Sequence, residues 1–295
     1  MKKVSLIKRV FCCAIFFTIL SSTSFAQVSP YDPPVVKAFA DSLYEEGFLS
    51  QAEGEYKRFL FSFDSKEAVL SGGNTDIQSS LLSLCNIYKV QQNKTSIIWL
   101  NDSFYAYASP AVKEKISLLR SDYIFKERDS LAFSDFKAGV ANDISFFSPD
   151  FSCLIQASDF LLKKDIESLK FNMPLFAAQS VSFEKLNELC GSYKTKSPGL
   201  ALLFSMVLPG AGKWYTGSFP AFVSSFVTVG SFIAGTVVTG IQTEWKSWQP
   251  YVFGACGLVL YITELYGSYK SAQRYNDALF RALCEETENI YEKIY

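Results

Sequence analysis

Residues 35–60 read VVKAFADSLYEEGFLSQAEGEYKRFL. Apolar side chains return at intervals of three and four on both sides of Gly47, which predicts two amphipathic helices folded back on each other at the glycine. Small Ala40 and Ala52 let such helices approach closely, and Leu43, Leu49, Tyr56 and Phe59 supply the seam between them. Glu45, Glu46, Glu53, Lys57 and Arg58 form a solvated face. The same pattern, with few Gly or Pro residues and scarce period-two alternation, continues to about Cys190, so the expected fold class is all-α. Aromatic residues are dense. Phe59, Phe133, Phe136, Phe146, Phe147 and Phe151 are expected in the core, whereas Phe61 and Phe63 cannot both share the helical face of Phe59 and are the candidate partner groove.

Ala40, Leu43, Gly47, Ala52, Tyr56 and Phe59 have the mutual spacing of a tetratricopeptide repeat, and the segment resembles that family. It departs from the family in having Asp64 near the closing proline position and in lacking the early tryptophan. Weaker copies follow at Leu84, Cys85, Tyr88, Gln92, Ile97 and Phe104, then at Leu119, Tyr123, Glu127, Ala132 and Phe136, then at Ala157, Phe160, Lys164, Ile166 and Leu169. Copies lie farther apart than the family's roughly 34 residues, which requires inserted loops such as 71–74. The resemblance implies a helical-pair solenoid whose curved surface binds another protein; a compact bundle with no groove is the alternative.

Composition narrows the function classes. The 295 residues are 49% hydrophobic and 19% charged, with a formal net charge of −1 that leaves no basic excess for nucleic acid. There is no histidine. Ser-His-Asp and Cys-His catalysis, His-ligated zinc and haem, and imidazole proton shuttling are therefore excluded. No cofactor and no metal site is expected, and an enzyme built on carboxylates such as Asp129 and Asp135 has no distinguishing context.

The N-terminus reads as an address. Lys2, Lys3, Lys8 and Arg9 precede an apolar run from Val10 to Leu20, and Ser24 and Ala26 are small residues where signal peptidase requires them. A secretory signal peptide over 1–26 is expected, with an uncleaved anchor as the alternative. Cys12 and Cys13 lie inside the apolar run without the small residues that precede a lipidated cysteine. The remaining cysteines, Cys85, Cys153, Cys190, Cys256 and Cys284, are widely spaced with no Cys-x-x-Cys, and buried single thiols are expected.

From Ser197 onward the chain changes character. Three uncharged stretches run over 197–212, 214–243 and 247–263, and the 23 residues of 219–241 would span a bilayer at about 1.5 Å per residue. Trp214, Tyr215, Trp245, Trp248, Tyr251, Tyr266 and Tyr269 cluster at segment ends as interfacial anchors. The first stretch is short and carries Pro209, so the membrane part has two or three apolar helices: charge favours three spans, length two. Pro209, Gly210, Gly212, Tyr215 and Gly217 form a turn that misses the phosphate-loop pattern, because Val207 and Trp214 stand where glycine and Ser or Thr are needed. Its Gly-x-Gly-x-x-Tyr-x-Gly spacing resembles the turn opening small membrane-hairpin domains of bacterial envelope proteins, a family whose likeness implies architecture and no activity. Gly230, Gly235 and Gly240, with Gly254 and Gly257, offer small-residue faces for packing within the hairpin or between copies. Glu264 is the one acid inside an apolar segment and is a candidate functional residue.

The expected organisation is therefore a signal peptide at 1–26, a tetratricopeptide-like soluble helical domain at 27–193, a membrane domain at 194–270 and an amphipathic C-terminal helix at 271–295. The expected fold is a helical-pair solenoid followed by a transmembrane helical hairpin. The expected place is the bacterial inner membrane with the soluble domain in the periplasm. The function expected of it is that of an adaptor for an unidentified envelope protein, with the lipid bilayer as second partner, no nucleic acid, and a homo-oligomer through the membrane helices as a further option. The alternative is a small transport or membrane-insertion accessory subunit worked by the hairpin.

Overall fold

The computed structural model describes residues 29–63 and 75–295. The expected signal segment, Asp64 and the 71–74 loop lie outside the described residues. Among the described residues the chain is all-helical, with thirteen α-helices, three one-turn 3-10 segments and no strand. It divides by compactness into two units, 1–120 and 121–295.

In the first unit, α1 (Pro33–Glu45) begins on a proline at its first turn, where a missing N–H costs nothing, and packs against α2 (Leu49–Phe61). Gly47 adopts φ +84°, and the Phe48 N–H returns 2.9 Å to the Leu43 carbonyl, so the first helix ends in a left-handed turn. Ala40 and Ala52 are fully buried where the helices cross, and the Tyr56 hydroxyl donates to Asp41 Oδ1 at 2.8 Å. The helical pair expected from residues 35–60 is present. The unit continues through α3 (Thr75–Gln91), α4 (Lys94–Phe104) and the start of α5 (Pro110–Lys126), with Leu81, Tyr88, Leu100 and Ile116 in the core.

The turn at Gly47 has three counterparts built without glycine. Gln92 (φ 51°), Arg128 (φ 58°) and Lys164 (φ 58°) lie 36 residues apart, each in the left-handed region and each followed by Asn or Asp. Asn93 accepts from the Thr95 and Ser96 N–H groups, Asp129 from those of Leu131 and Ala132, and Asp165 from that of Ser168. A left-handed non-glycine residue costs about 1–2 kcal/mol, and an N-cap of this kind returns about 1 kcal/mol by satisfying donors at the start of the next helix.

In the second unit, α6 (Ser130–Val140), α7 (Pro149–Leu162), α8 (Ile166–Gln179) and α9 (Glu184–Ser192) form a bundle around Phe133, Phe151, Leu154, Leu169 and Phe183. Phe136 and Phe147 are buried as expected. Phe146 is not: it is 70% exposed, because it ends a single 3-10 turn (Ile144–Phe146) and turns outward while its neighbour Phe147 turns in. α10 (Pro198–Val207) and α11 (Ala211–Tyr215) lead into α12 (Phe219–Gln242). α13 (Gln249–Ile294) then runs unbroken for 46 residues, about 70 Å.

The first part of α13 packs along α12, and its last turns pack into the bundle against α7 and α9. There the Tyr291 ring lies 5.9 Å from Phe125 and its hydroxyl shares a hydrogen bond with Ser158 at 3.0 Å. The segment 271–295 is thus the second half of a longer helix. By compactness it joins residues 121–193, although the change in hydropathy falls near 194.

Candidate functional site

The sequence motif around residue 210 folds into a tight corner, and each glycine has its own reason. Gly210 adopts φ +83°, and a Cβ there would lie 2.7 Å from the Ser225 Cβ. At Gly212 a Cβ would lie 2.1 Å from the Ala201 carbonyl oxygen, so only glycine permits this approach between α11 and α10. The Gly212 N–H donates to Ser205 Oγ at 2.8 Å, and Ser205 in turn donates to Ser268 Oγ at 2.7 Å. Both serines are buried, and the relay fixes the corner to α13. Gly217, at φ +91°, ends α11.

Tyr215 closes the corner from the other side. Its ring meets Phe204 edge-on at 5.4 Å, its hydroxyl accepts from the Ser197 N–H at 3.3 Å, and its carbonyl accepts from Lys196 Nζ at 2.5 Å. The Lys196 backbone is clamped by Asn276 of α13: its N–H donates to Asn276 Oδ1 and its carbonyl accepts from Asn276 Nδ2, both at 2.8 Å. The entry to the apolar part is therefore held at two levels of the same long helix.

This corner delivers Lys213 to Glu264. Lys213 Nζ lies 2.6 Å from Glu264 Oε1 and 2.8 Å from Ser225 Oγ. Both charged side chains are about four-fifths buried. They line a cavity of about 220 Å³ between α12 and α13, together with the polar Ser224, Ser225, Thr228 and Thr263. Glu264 Oε2 is buried with no hydrogen-bond partner. Ser225 is the seventh residue of α12, so the site sits about 9 Å in from that helix's start.

The other expected residues fall elsewhere. Phe61 is 68% exposed, with its ring 6.1 Å from Trp99 of α4, whereas Phe63 lies edge-on to Phe59 at 5.1 Å. The two rings diverge: the exposed Phe61 pairs with the half-buried Trp99, over which Lys57 Nζ sits at 4.8 Å. Asp129 caps α6, and Asp135 is exposed on the same helix. The small-residue faces are used inside the chain: Gly235 meets Phe253, Gly254 meets Thr236 and Gly257 meets Phe232, while Gly230 faces open space.

The five described cysteines are unbridged, four of them buried and Cys256 exposed. Burial pushes the Cys190 thiol up to about 11, and the Cys153 and Cys284 thiols upward as well, so none of these three is an activated nucleophile.

Sequence reasoning singled out Glu264 and the glycine turn separately and missed Lys213, which joins them. The usable signal was charge: a lysine inside a glycine turn and a lone acid inside an apolar helix each need the other. No protein-family model, curated protein or solved structure matches this chain. Among the described residues no group of three or more Cys, Asp or Glu is placed to hold a metal. What the geometry itself defines is an all-helical protein with a lipophilic helix pair, an ion pair buried at one end of it, and a polar bundle gripping the far end of the same long helix.

Proposed function

We propose that this is a membrane-anchored envelope adaptor: α12 and the first part of α13 cross the bilayer as a hairpin, and the helical pairs bind a protein partner. One observation carries the membrane part. The most apolar 18 residues of α12 have a mean hydropathy of 1.8, yet only 11% of them are buried within the protein. Large side chains such as Val227, Ile233, Val237, Leu258, Val259 and Ile262 point outward from the pair. A soluble protein seldom exposes so continuous an apolar surface, and lipid removes the cost. The 24 residues of α12 reach about 36 Å, enough for a hydrocarbon core of about 30 Å.

Packing of α13 supports two crossings over three. The last turns of α13 pack against α7 and α9, which precede the apolar part in the chain. Both must then lie on one side of the membrane, which an even number of crossings provides. The ten residues of α10 reach about 15 Å and fit an interfacial helix. Trp214 and Tyr266 near one end of the pair, with Trp245, Trp248 and Tyr251 near the other, are placed as interfacial anchors. With an exported N-terminus this reading puts the soluble helices and the C-terminus in the periplasm, at the inner membrane.

For the adaptor role the support is the helical-pair rhythm and the exposed Phe61 ring beside the half-buried Trp99. In-cell cross-linking from surface positions of residues 35–190, read by mass spectrometry, tests it. Reproducible capture of one envelope protein, lost in Phe61→Ala but kept in Phe171→Ala at another exposed phenylalanine, is the expected result. Capture unaffected by Phe61→Ala removes this surface from the proposal. The buried Lys213–Glu264 pair favours the second reading, a transport or insertion accessory; Glu264→Ala should then abolish function at unchanged abundance.

A further inference from the structure

We propose that the apolar pair carries, at its α10–α11 end, a cationic collar that gathers anionic phospholipid of the phosphatidylglycerol class; this inference rests on the membrane reading above. One face of α13 records the change of surroundings. Val259, Tyr266, Lys270 and Arg274 follow at steps of seven and four residues and so lie within about 80° of one another around the helix. Val259 and Tyr266 are exposed, and Arg274 is exposed beyond them. From Gln249, where α13 begins, the helix rises about 32 Å to Lys270, which therefore emerges at the edge of a hydrocarbon core of about 30 Å. Arg274 stands about 6 Å farther out, at the level of the lipid phosphates. Apolar side chain, aromatic ring and positive charge thus succeed one another along the face that the membrane reading turns toward lipid.

Neutral groups hold the cations of this collar. Lys270 Nζ donates to Gln273 Oε1 at 3.0 Å and lies 5.8 Å from the Tyr266 ring centre. Lys196 Nζ donates to the Tyr215 carbonyl and lies 4.5 Å from the Tyr275 ring centre. Among the described residues neither of them, nor Lys194, nor Arg274, belongs to an ion pair. Elsewhere the pattern reverses: Arg128, Lys137, Lys163 and Lys185 in the bundle each reach a carboxylate, and Lys246 at the other end of the apolar pair reaches Glu244. Segments 193–218 and 265–284, joined through Lys196 and Asn276, hold six cations and one acid, Asp277; of the six, Lys213 alone is neutralised, by Glu264. The whole chain carries a net charge of −1, so this excess is local. A carbonyl, an amide oxygen or a ring orients a cation without cancelling its charge, and the anions already present at this level of a bilayer are lipid phosphodiesters. An acidic protein segment would have to displace those headgroups to reach it.

The test uses the full chain in nanodiscs of equimolar phosphatidylglycerol and phosphatidylcholine, with retained lipid read by native mass spectrometry. The expected result is enrichment of phosphatidylglycerol about fivefold over its share in the disc, the worth of one lysine or arginine at an anionic headgroup layer, declining toward that share as salt is raised. Lys270→Gln combined with Arg274→Gln should return retention to the disc ratio. Lys270→Arg combined with Arg274→Lys keeps both charges and should keep the enrichment, which separates loss of charge from loss of packing. Retention of both lipids in disc proportion by the unaltered protein would overturn the inference and leave the membrane reading standing. Enrichment that survives removal of both charges would overturn its assignment to this face of α13. Release of the lipid by inorganic phosphate at constant ionic strength would assign the collar to the free anion and overturn the choice of lipid. Failure to incorporate would overturn the membrane reading and this inference with it.

Discussion

Lys213 and Glu264, 51 residues apart in the chain, meet at 2.6 Å inside the apolar helix pair, and neither charge has another ionic partner there. Removing one member strands the other in a low dielectric at a cost of about 3–5 kcal/mol, while removing both is close to neutral. Lys213→Met and Glu264→Gln should each lower the thermal midpoint of the detergent-purified protein, and the double variant should recover most of the loss. Simple addition of the two single effects would show that the pair is not coupled.

The corner that positions Lys213 depends on Gly212. A methyl group there would meet the Ala201 carbonyl at 2.1 Å, which backbone on both sides prevents from relaxing cheaply. Gly212→Ala should destabilise by about 1–3 kcal/mol and reduce membrane-fraction abundance. Gly230→Ala, where nothing lies within 4 Å, should leave both unchanged within about 0.5 kcal/mol. Equal effects at the two glycines would contradict the packing described.

At the other end of α13, Glu286 is 2% exposed and paired with Lys185 and Lys293, with Asn289 donating to it at 3.2 Å. Burial opposes its ionisation, but the Lys185 and Asn289 hydrogen bonds and the two lysine charges prevail and hold its pKa below the ordinary glutamate value. Asp159 is likewise lowered: burial is outweighed by Lys137 and Lys163. A depressed carboxylate stabilises the fold above its unfolded pKa and loses that contribution as pH falls through the folded value. Stability should therefore be level near neutrality and decline below about pH 4.5. Glu286→Gln should cost about 1.5–3 kcal/mol at pH 7 and flatten that acid decline, read from denaturant midpoints at stepped pH. An unchanged acid limb would remove Glu286 from the account.

How much of this was legible in sequence depended on whether chemistry announced itself locally. Gly47 marked its turn because glycine is the residue a left-handed position favours; Gln92, Arg128 and Lys164 hold the same backbone conformation with no such mark. Their trace was the Asn or Asp that follows each, a cap signal legible once the turns are aligned. Hydropathy falls after Tyr269 while the helical period does not, so α13 reads as two elements although it is one. Glu286 interrupts the apolar stripe of residues 272–294 on paper, yet it is buried because Lys185, 101 residues away, neutralises it. Long-range charge pairing decided both this site and the Lys213–Glu264 site, and spacing along the chain does not encode it.

Adjacent residues in the third of these turns should respond with opposite signs. Lys164 at φ 58° carries left-handed strain that glycine lacks, so Lys164→Gly should stabilise by up to about 1 kcal/mol. Asp165 caps α8 through the Ser168 N–H at 3.0 Å, so Asp165→Ala should destabilise by about 1 kcal/mol. Denaturant midpoints of the two variants check this, and a shift of the same sign in both would mean the turn geometry is wrong.

Cys256 reports on the environment of the apolar pair. It is exposed on α13, within the stretch that packs along α12, while the other four described cysteines are buried. In water an exposed thiol reacts with a charged maleimide through its thiolate fraction; in hydrocarbon the thiolate is suppressed and the charged reagent excluded. In intact vesicles, peptide mapping should therefore find Cys256 unmodified after treatment with a charged maleimide. After unfolding in detergent and denaturant, Cys256 should react together with the four buried thiols. Rapid modification of Cys256 in intact vesicles would place this face of α13 in water, and the exposed row of Val252, Leu258, Val259 and Ile262 would then need a protein partner in place of lipid.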